Sequence, residues 1–138
     1  MTIETQGMTP LIQVLDMQKS LAFYCDLLGF ELIDKAGPPD DIGWVMLKLN
    51  ETFLMLNTQY EMHDRPATPD GQRCETHRDT CFYFMCVDSD DVYDHIVQHG
   101  IKIDKPTVAP YGMKQLYFTD PDGYNICFQS IVPVSDHK

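Results

Sequence analysis

The sequence predicts an α+β fold made of two βαβββ modules, each a mixed sheet with a helix on one face. Three observations carry that expectation. Apolar and polar residues alternate with a period of two through several short runs. A strand, helix, glycine, strand pattern occurs twice, from Val14-Leu15-Asp16 to Lys35 and from Val87-Asp88 to Lys105. The last two alternating runs flank Asp120-Pro121-Asp122-Gly123, where proline fixes φ, aspartate bonds its own backbone and glycine accepts positive φ, which is hairpin chemistry.

In the first strand, Pro10, Ile12 and Val14 oppose Thr9, Leu11 and Gln13. Asp16 supplies an N-cap oxygen to a helix through Leu28, with Leu21, Tyr24 and Leu28 as its apolar stripe and Gly29 at the left-handed C′ position. A strand from Phe30 to Lys35 follows, then strands at about Trp44 to Leu49 and Thr52 to Asn57, where Leu54 and Leu56 oppose Met55 and Asn57. These form module 1, about residues 7–57. The polar stretch 58–79 contains Pro and Gly and reads as a lid or an inter-module linker.

Module 2, about residues 80–131, opens on Cys81 to Val87. Cys81, Tyr83, Met85 and Val87 oppose Phe82, Phe84 and Cys86, so both sides are apolar and neither is expected to meet bulk water. Asp88 caps a helix through His99 that carries Val92 and Ile96, Gly100 stops it, and a strand is expected at Ile101 to Lys105. The hairpin at residues 112–129 closes the module. Leu116, Phe118, Ile126 and Phe128 form its apolar face, while Gln115, Tyr117, Cys127 and Gln129 form a face that both packs and hydrogen-bonds. A mixed face of that kind lines pockets.

At 138 residues the chain is the size of one ordinary domain. Twenty-one Asp plus Glu against ten Lys plus Arg give a formal charge of −11, which argues against nucleic acid or anionic membrane and favours cationic ligands. With no long apolar run and no signal peptide, a cytoplasmic protein is expected. Cys25, Cys74, Cys81, Cys86 and Cys127, without paired spacing, read as reduced thiols.

The segments Val14-Leu15-Asp16-Met17-Gln18-Lys19-Ser20-Leu21-Ala22-Phe23-Tyr24, Leu28-Gly29-Phe30 and Asp120-Pro121-Asp122-Gly123 resemble the hallmarks of the vicinal oxygen chelate superfamily. That group includes glyoxalase I, bleomycin resistance proteins, fosfomycin-modifying enzymes and extradiol dioxygenases. The resemblance covers essentially the whole chain. It implies a cupped mixed sheet with helices on the outer face, commonly in a homodimer that completes the pocket. The metal enzymes of the group place His, Gln or Glu on the cavity face, to hold a divalent ion that a substrate chelates. Carried onto this sequence, those positions fall on Thr9, Met55, Phe82 and Cys127, which make no plausible set for a hard metal.

Other constellations have plainer readings. His63 and His77, beside Asp64, Glu75 and Asp79, read as solvated loop residues, and His95 and His99 as a helix C-terminus favouring His⁺. No nucleophile elbow or phosphate loop is present. Cys127 reads as an inert thiol, and Trp44 has an ambiguous strand phase. The resulting expectation is a metal-independent, cofactor-free binder of a planar, possibly cationic small molecule, similar to the bleomycin-resistance branch. Its ligand-binding residues would be Gln13, Met55, Asn57, Phe82, Phe84, Gln115, Tyr117, Cys127 and Gln129, with no catalytic residue. The competing readings are a glyoxalase-type lyase, isomerase or dioxygenase with unconventional ligands, and a ligand-free interaction module.

Overall fold

The computed structural model describes residues 1–133, with the backbone alone at Met62. It contains two compact units, Met1–Pro69 and a second from Asp70 onward. Each is built around a four-stranded mixed sheet.

In the first unit, β1 (Leu11–Val14), β2 (Glu31–Ala36), β3 (Trp44–Leu49) and β4 (Thr52–Thr58) are ordered β1-β4-β3-β2. Only β1 and β4 run parallel. Between β1 and β2 lies α1 (Met17–Leu21), which continues as a π-helical stretch over Ala22–Leu27. Asp16 caps it as expected, its carboxylate accepting from the N–H groups of Gln18 and Lys19, and Gly29 takes φ of +89° at its end. Ile12, Val14, Val45, Leu47, Leu54 and Leu56 form the buried side of the sheet, and Tyr24 is fully buried between the ring edges of Phe23 and Phe30. At roughly 25 cal/mol per Å² of apolar area, such burial is the dominant stabilising term.

In the second unit, β5 (Cys81–Met85), β6 (Thr107–Val108), β7 (Met113–Thr119) and β8 (Asn125–Ile131) are ordered β5-β8-β7-β6, with only β5 and β8 parallel. The topology repeats that of the first unit. Helix α3 (Ser89–Gln98), capped by Asp88, packs on β7 and β8 and buries Ile96. Its first residue is a polar hub: Ser89 Oγ donates to the carbonyls of Lys114 and Phe128, and Ser130 Oγ accepts from the Ser89 N–H.

Two expectations are corrected here. No strand forms at Ile101 to Lys105; the two-residue β6 takes the edge position instead, because only Thr107 and Val108 pair with β7. The 58–79 stretch is not irregular throughout. It holds a 3₁₀ turn at Met62–Asp64 and a helix, α2 (Gly71–His77), capped by Asp70, and α2 belongs to the second unit.

The Asp120 to Gly123 turn explains that placement. The buried Asp120 carboxylate accepts from the N–H groups of Asp122 and Tyr124, both at 2.9 Å. Gly123 has φ of +88°, and a Cβ there would stand 2.6 Å from the Cys74 carbonyl oxygen, so α2 lies directly on the turn. His77 completes the contact. Its ring stacks on Tyr124 at 4.0 Å, and its Nδ1–H donates to the Asp122 carbonyl at 2.7 Å. The expectation of a solvated loop residue fails for His77, which is half-buried in a helix.

Candidate ligand-binding faces of the two sheets

Strand register decides which side chains share a face. In the first sheet, Leu11 pairs with Met55, Gln13 with Asn57, Trp44 with Asn57 and Met46 with Met55. These six residues therefore lie on the side opposite the buried one, and Asn57 Nδ2 donates to Gln13 Oε1 at 3.4 Å. Thr9, half-buried, precedes β1. The register also resolves the phase of Trp44, which lies on this face.

In the second sheet, Tyr83 pairs with Cys127, Met85 with Gln129, Gln115 with Gln129 and Tyr117 with Cys127. Together with Cys81, Asn125, Met113 and Thr119 they form one face. No strand residue on it is charged, although 31 of the 138 residues are Asp, Glu, Lys or Arg. Lys114 lies on the opposite side, bound to Asp90 of α3. The uncharged face is not covered within the unit: Tyr83 is 54% exposed, Met85 61% and Tyr117 44%. The expectation that neither side of β5 meets water therefore fails for this side.

Phe82 and Phe84 lie on the other side, correcting their assignment to the cavity face. Phe84 stacks on Phe128 at 4.8 Å, Phe128 stacks on Phe118, and Phe82 leans toward Tyr124. Tyr83 stands where a pocket aromatic was expected. A single 72-residue offset shows why. It relates Leu11 to Tyr83, the cap Asp16 to the cap Asp88, and Met55 to Cys127. Counted from the caps, Thr9 corresponds to Cys81, not to Phe82. Of the expected binding residues, the structure brings Gln13, Met55 and Asn57 together on one sheet, and Gln115, Tyr117, Cys127 and Gln129 together on the other.

The polar groups of the second face are linked. The Tyr83 and Tyr117 hydroxyls share a 2.8 Å hydrogen bond, with the rings edge to face at 6.1 Å. That bond and partial burial raise the Tyr117 phenol above its ordinary value. Cys127 lies fully buried beneath, and desolvation pushes its thiol up to about 11 despite a hydrogen bond from Tyr117. Farther along, Gln115 Nε2 donates to the Tyr111 hydroxyl at 2.9 Å and to Gln129 Oε1 at 3.1 Å, while Gln129 Nε2 donates to Met85 Sδ at 3.5 Å.

A glyoxalase-family model, described as the Glyoxalase/Bleomycin resistance protein/Dioxygenase superfamily, matches residues 8–128. The chain belongs to that superfamily. The uncharacterized protein YaeR of Escherichia coli (strain K12) is 33% identical over 117 residues, 78% of this chain and 82% of YaeR. Metallothiol transferase FosB of Lysinibacillus sphaericus (strain C3-41) is 31% identical over 121 residues, covering 87% and 78% respectively. In three dimensions the chain is similar to lactoylglutathione lyase from Agrobacterium tumefaciens, with a TM-score of 0.65, 18% identity and coverage of 92% and 95%. At that identity the likeness concerns the fold alone.

Membership raises the question of a divalent metal, and the residues at the superfamily's ligand positions do not fit a hard one. Thr9 and Met55 offer a hydroxyl and a thioether. Cys81, which the cap offset puts in place of Phe82, and Cys127 offer thiols, which are soft donors. Hard divalent ions require carboxylate, carbonyl or imidazole donors. Among the described residues, one group of three ligand-type side chains converges, Glu61, His63 and Asp64, and all three are exposed. Their 3.4 and 3.7 Å contacts form a solvated surface network of little energetic weight, as expected for His63. His99 donates Nδ1–H to the His95 carbonyl at 2.8 Å, consistent with a C-terminal capping role for this pair.

Proposed function

We propose that this chain is a metal-independent small-molecule-binding protein whose second sheet presents the contact surface for a planar ligand. The observation that carries the reading is the uncharged, half-open face around Tyr83, Tyr117, Gln115 and Gln129 in a chain of net charge −11. An acidic chain solvates ordinary surface with carboxylates; a face without them is built for contact with something other than water. The tyrosine rings supply stacking area, Met85 adapts to shape, and the amides orient the ligand. The negative field of the whole molecule favours a ligand with a cationic group, in keeping with sequestration of a cationic aromatic antibiotic. Gln13, Met55 and Asn57 would supply a comparable contact set on the first sheet, and a homodimer is the expected assembly.

The Tyr117 phenol and the Cys81 and Cys127 thiols hold their protons more tightly than usual, which disfavours these groups as bases or nucleophiles. The match to a metallothiol transferase favours a second reading, a metal-dependent enzyme with unconventional ligands. Elemental analysis of protein purified without chelator and then offered Mn, Fe, Ni or Zn separates the two. Metal well below one ion per chain supports the binding reading. One tightly held ion per chain supports the enzyme.

A further inference from the structure

The Gln115–Gln129 pair on the second sheet has a fixed direction, and that direction selects a ligand group. A thioether accepts hydrogen bonds and cannot donate them. Gln129 therefore turns Nε2 toward Met85 Sδ and Oε1 toward Gln115. Gln115 in turn must direct Nε2 at Gln129, and its second amide hydrogen reaches the Tyr111 hydroxyl. Both Gln115 donors are thereby used. Its Oε1 accepts from no described residue and stays open to solvent on a side chain that is otherwise only 7% exposed, so a ligand that covers it must supply a donor. Gln129 keeps one N–H free and commits the other to sulfur, a weak acceptor. The residual pattern on two adjacent amides is one acceptor beside one donor, next to two tyrosine rings on an uncharged face.

We infer that the Gln115–Gln129 pair is a recognition element for a neutral planar ring carrying an N–H beside a C=O, that is, a lactam or cyclic imide edge. The inference rests on the binding reading above and narrows it: any positive charge on the ligand lies away from these amides. The Gln115 oxygen accepts from the ring N–H, and the Gln129 amide donates to the ring carbonyl. Methylating the ring nitrogen removes the donor and leaves the Gln115 oxygen desolvated and unpaired, the condition under which a polar site rejects an analogue most strongly.

The test is calorimetric titration of the intact chain with phthalimide and with N-methylphthalimide, each with and without EDTA. Wild-type protein is expected to prefer phthalimide by roughly tenfold or more. Gln115→Met should abolish the preference, and Gln129→Met, at a less buried position, should reduce it while circular dichroism confirms the fold. Equal affinity for the two compounds, an undiminished preference in the folded Gln129→Met protein, or no binding of either would overturn the inference. If neither imide binds while cationic aromatic compounds still do, the lactam assignment falls and the binding reading stands. If none of them binds, both fall.

Discussion

Tyr83 of β5 and Tyr117 of β7 meet across β8, hydroxyl to hydroxyl at 2.8 Å, directly above the buried thiol of Cys127. The two strands are not neighbours in the sheet, so this bond fixes the ring positions across three strands and, at the proposed site, would hold the stacking surface in place before a ligand arrives. Preorganisation of that kind lowers the entropy cost of binding.

The aromatic residues of β5 and β7 should divide by face. Tyr83→Ala and Tyr117→Ala are expected to weaken a planar aromatic ligand by about 1–3 kcal/mol each with little change in melting temperature. Phe84→Ala removes a ring stacked on Phe128 and should cost about 3 kcal/mol of stability. Calorimetry and thermal denaturation of the same variants check both halves. Loss of affinity without loss of stability in Phe84→Ala would show that the faces are reversed.

Gly123→Ala should destabilise the second unit by about 1–3 kcal/mol, because the position combines φ of +88° with a Cβ site 2.6 Å from the Cys74 carbonyl. That carbonyl is backbone within α2 and cannot swing aside. A melting temperature equal to wild type would mean that α2 does not lie on the turn.

The thiols give a pH dependence with a definite sign. Burial raises the folded-state value of Cys127 to about 11 from an ordinary 9.0, and the other four cysteines shift in the same direction. The folded chain therefore holds these protons more tightly than the unfolded chain. The associated stability is complete below pH 9 and is lost as pH rises through about 11. Urea midpoints under reducing conditions should fall between pH 9 and 11, and Cys127→Ala should shallow that fall. Midpoints that rise over this window would contradict the burial of Cys127.

The repeat, the capped helices, the hairpin and the superfamily were legible in the sequence because each rests on local chemistry: Asp16 and Asp88 at N-caps, Gly29 at a C′ position, and the Asp120 to Gly123 turn. The phase of β5 was not legible from hydrophobicity. Cys81 to Val87 is apolar at every position, so a period of two has nothing to sort, and the superfamily position carried onto Phe82 slipped by one residue. The cap Asp88 carried the needed signal, since counting seven residues back gives Cys81. Helix α2 was hidden for a related reason: Gly71-Gln72-Arg73-Cys74-Glu75-Thr76-His77 has no apolar stripe, and Asp70 at its N-cap was its sole marker. At Ile101 to Lys105, Ile101 and Ile103 alternate as in a strand, yet no backbone ladder forms there, and sequence alone does not supply a pairing partner.

Metal-independent binding at the second sheet is tested most directly by calorimetric titration of wild-type and Tyr83→Ala protein with bleomycin, in the presence and absence of EDTA. The account predicts saturable binding by the wild type, unchanged by the chelator and weakened about tenfold or more in the variant. Binding that vanishes with EDTA, or that is indifferent to Tyr83→Ala, would contradict it.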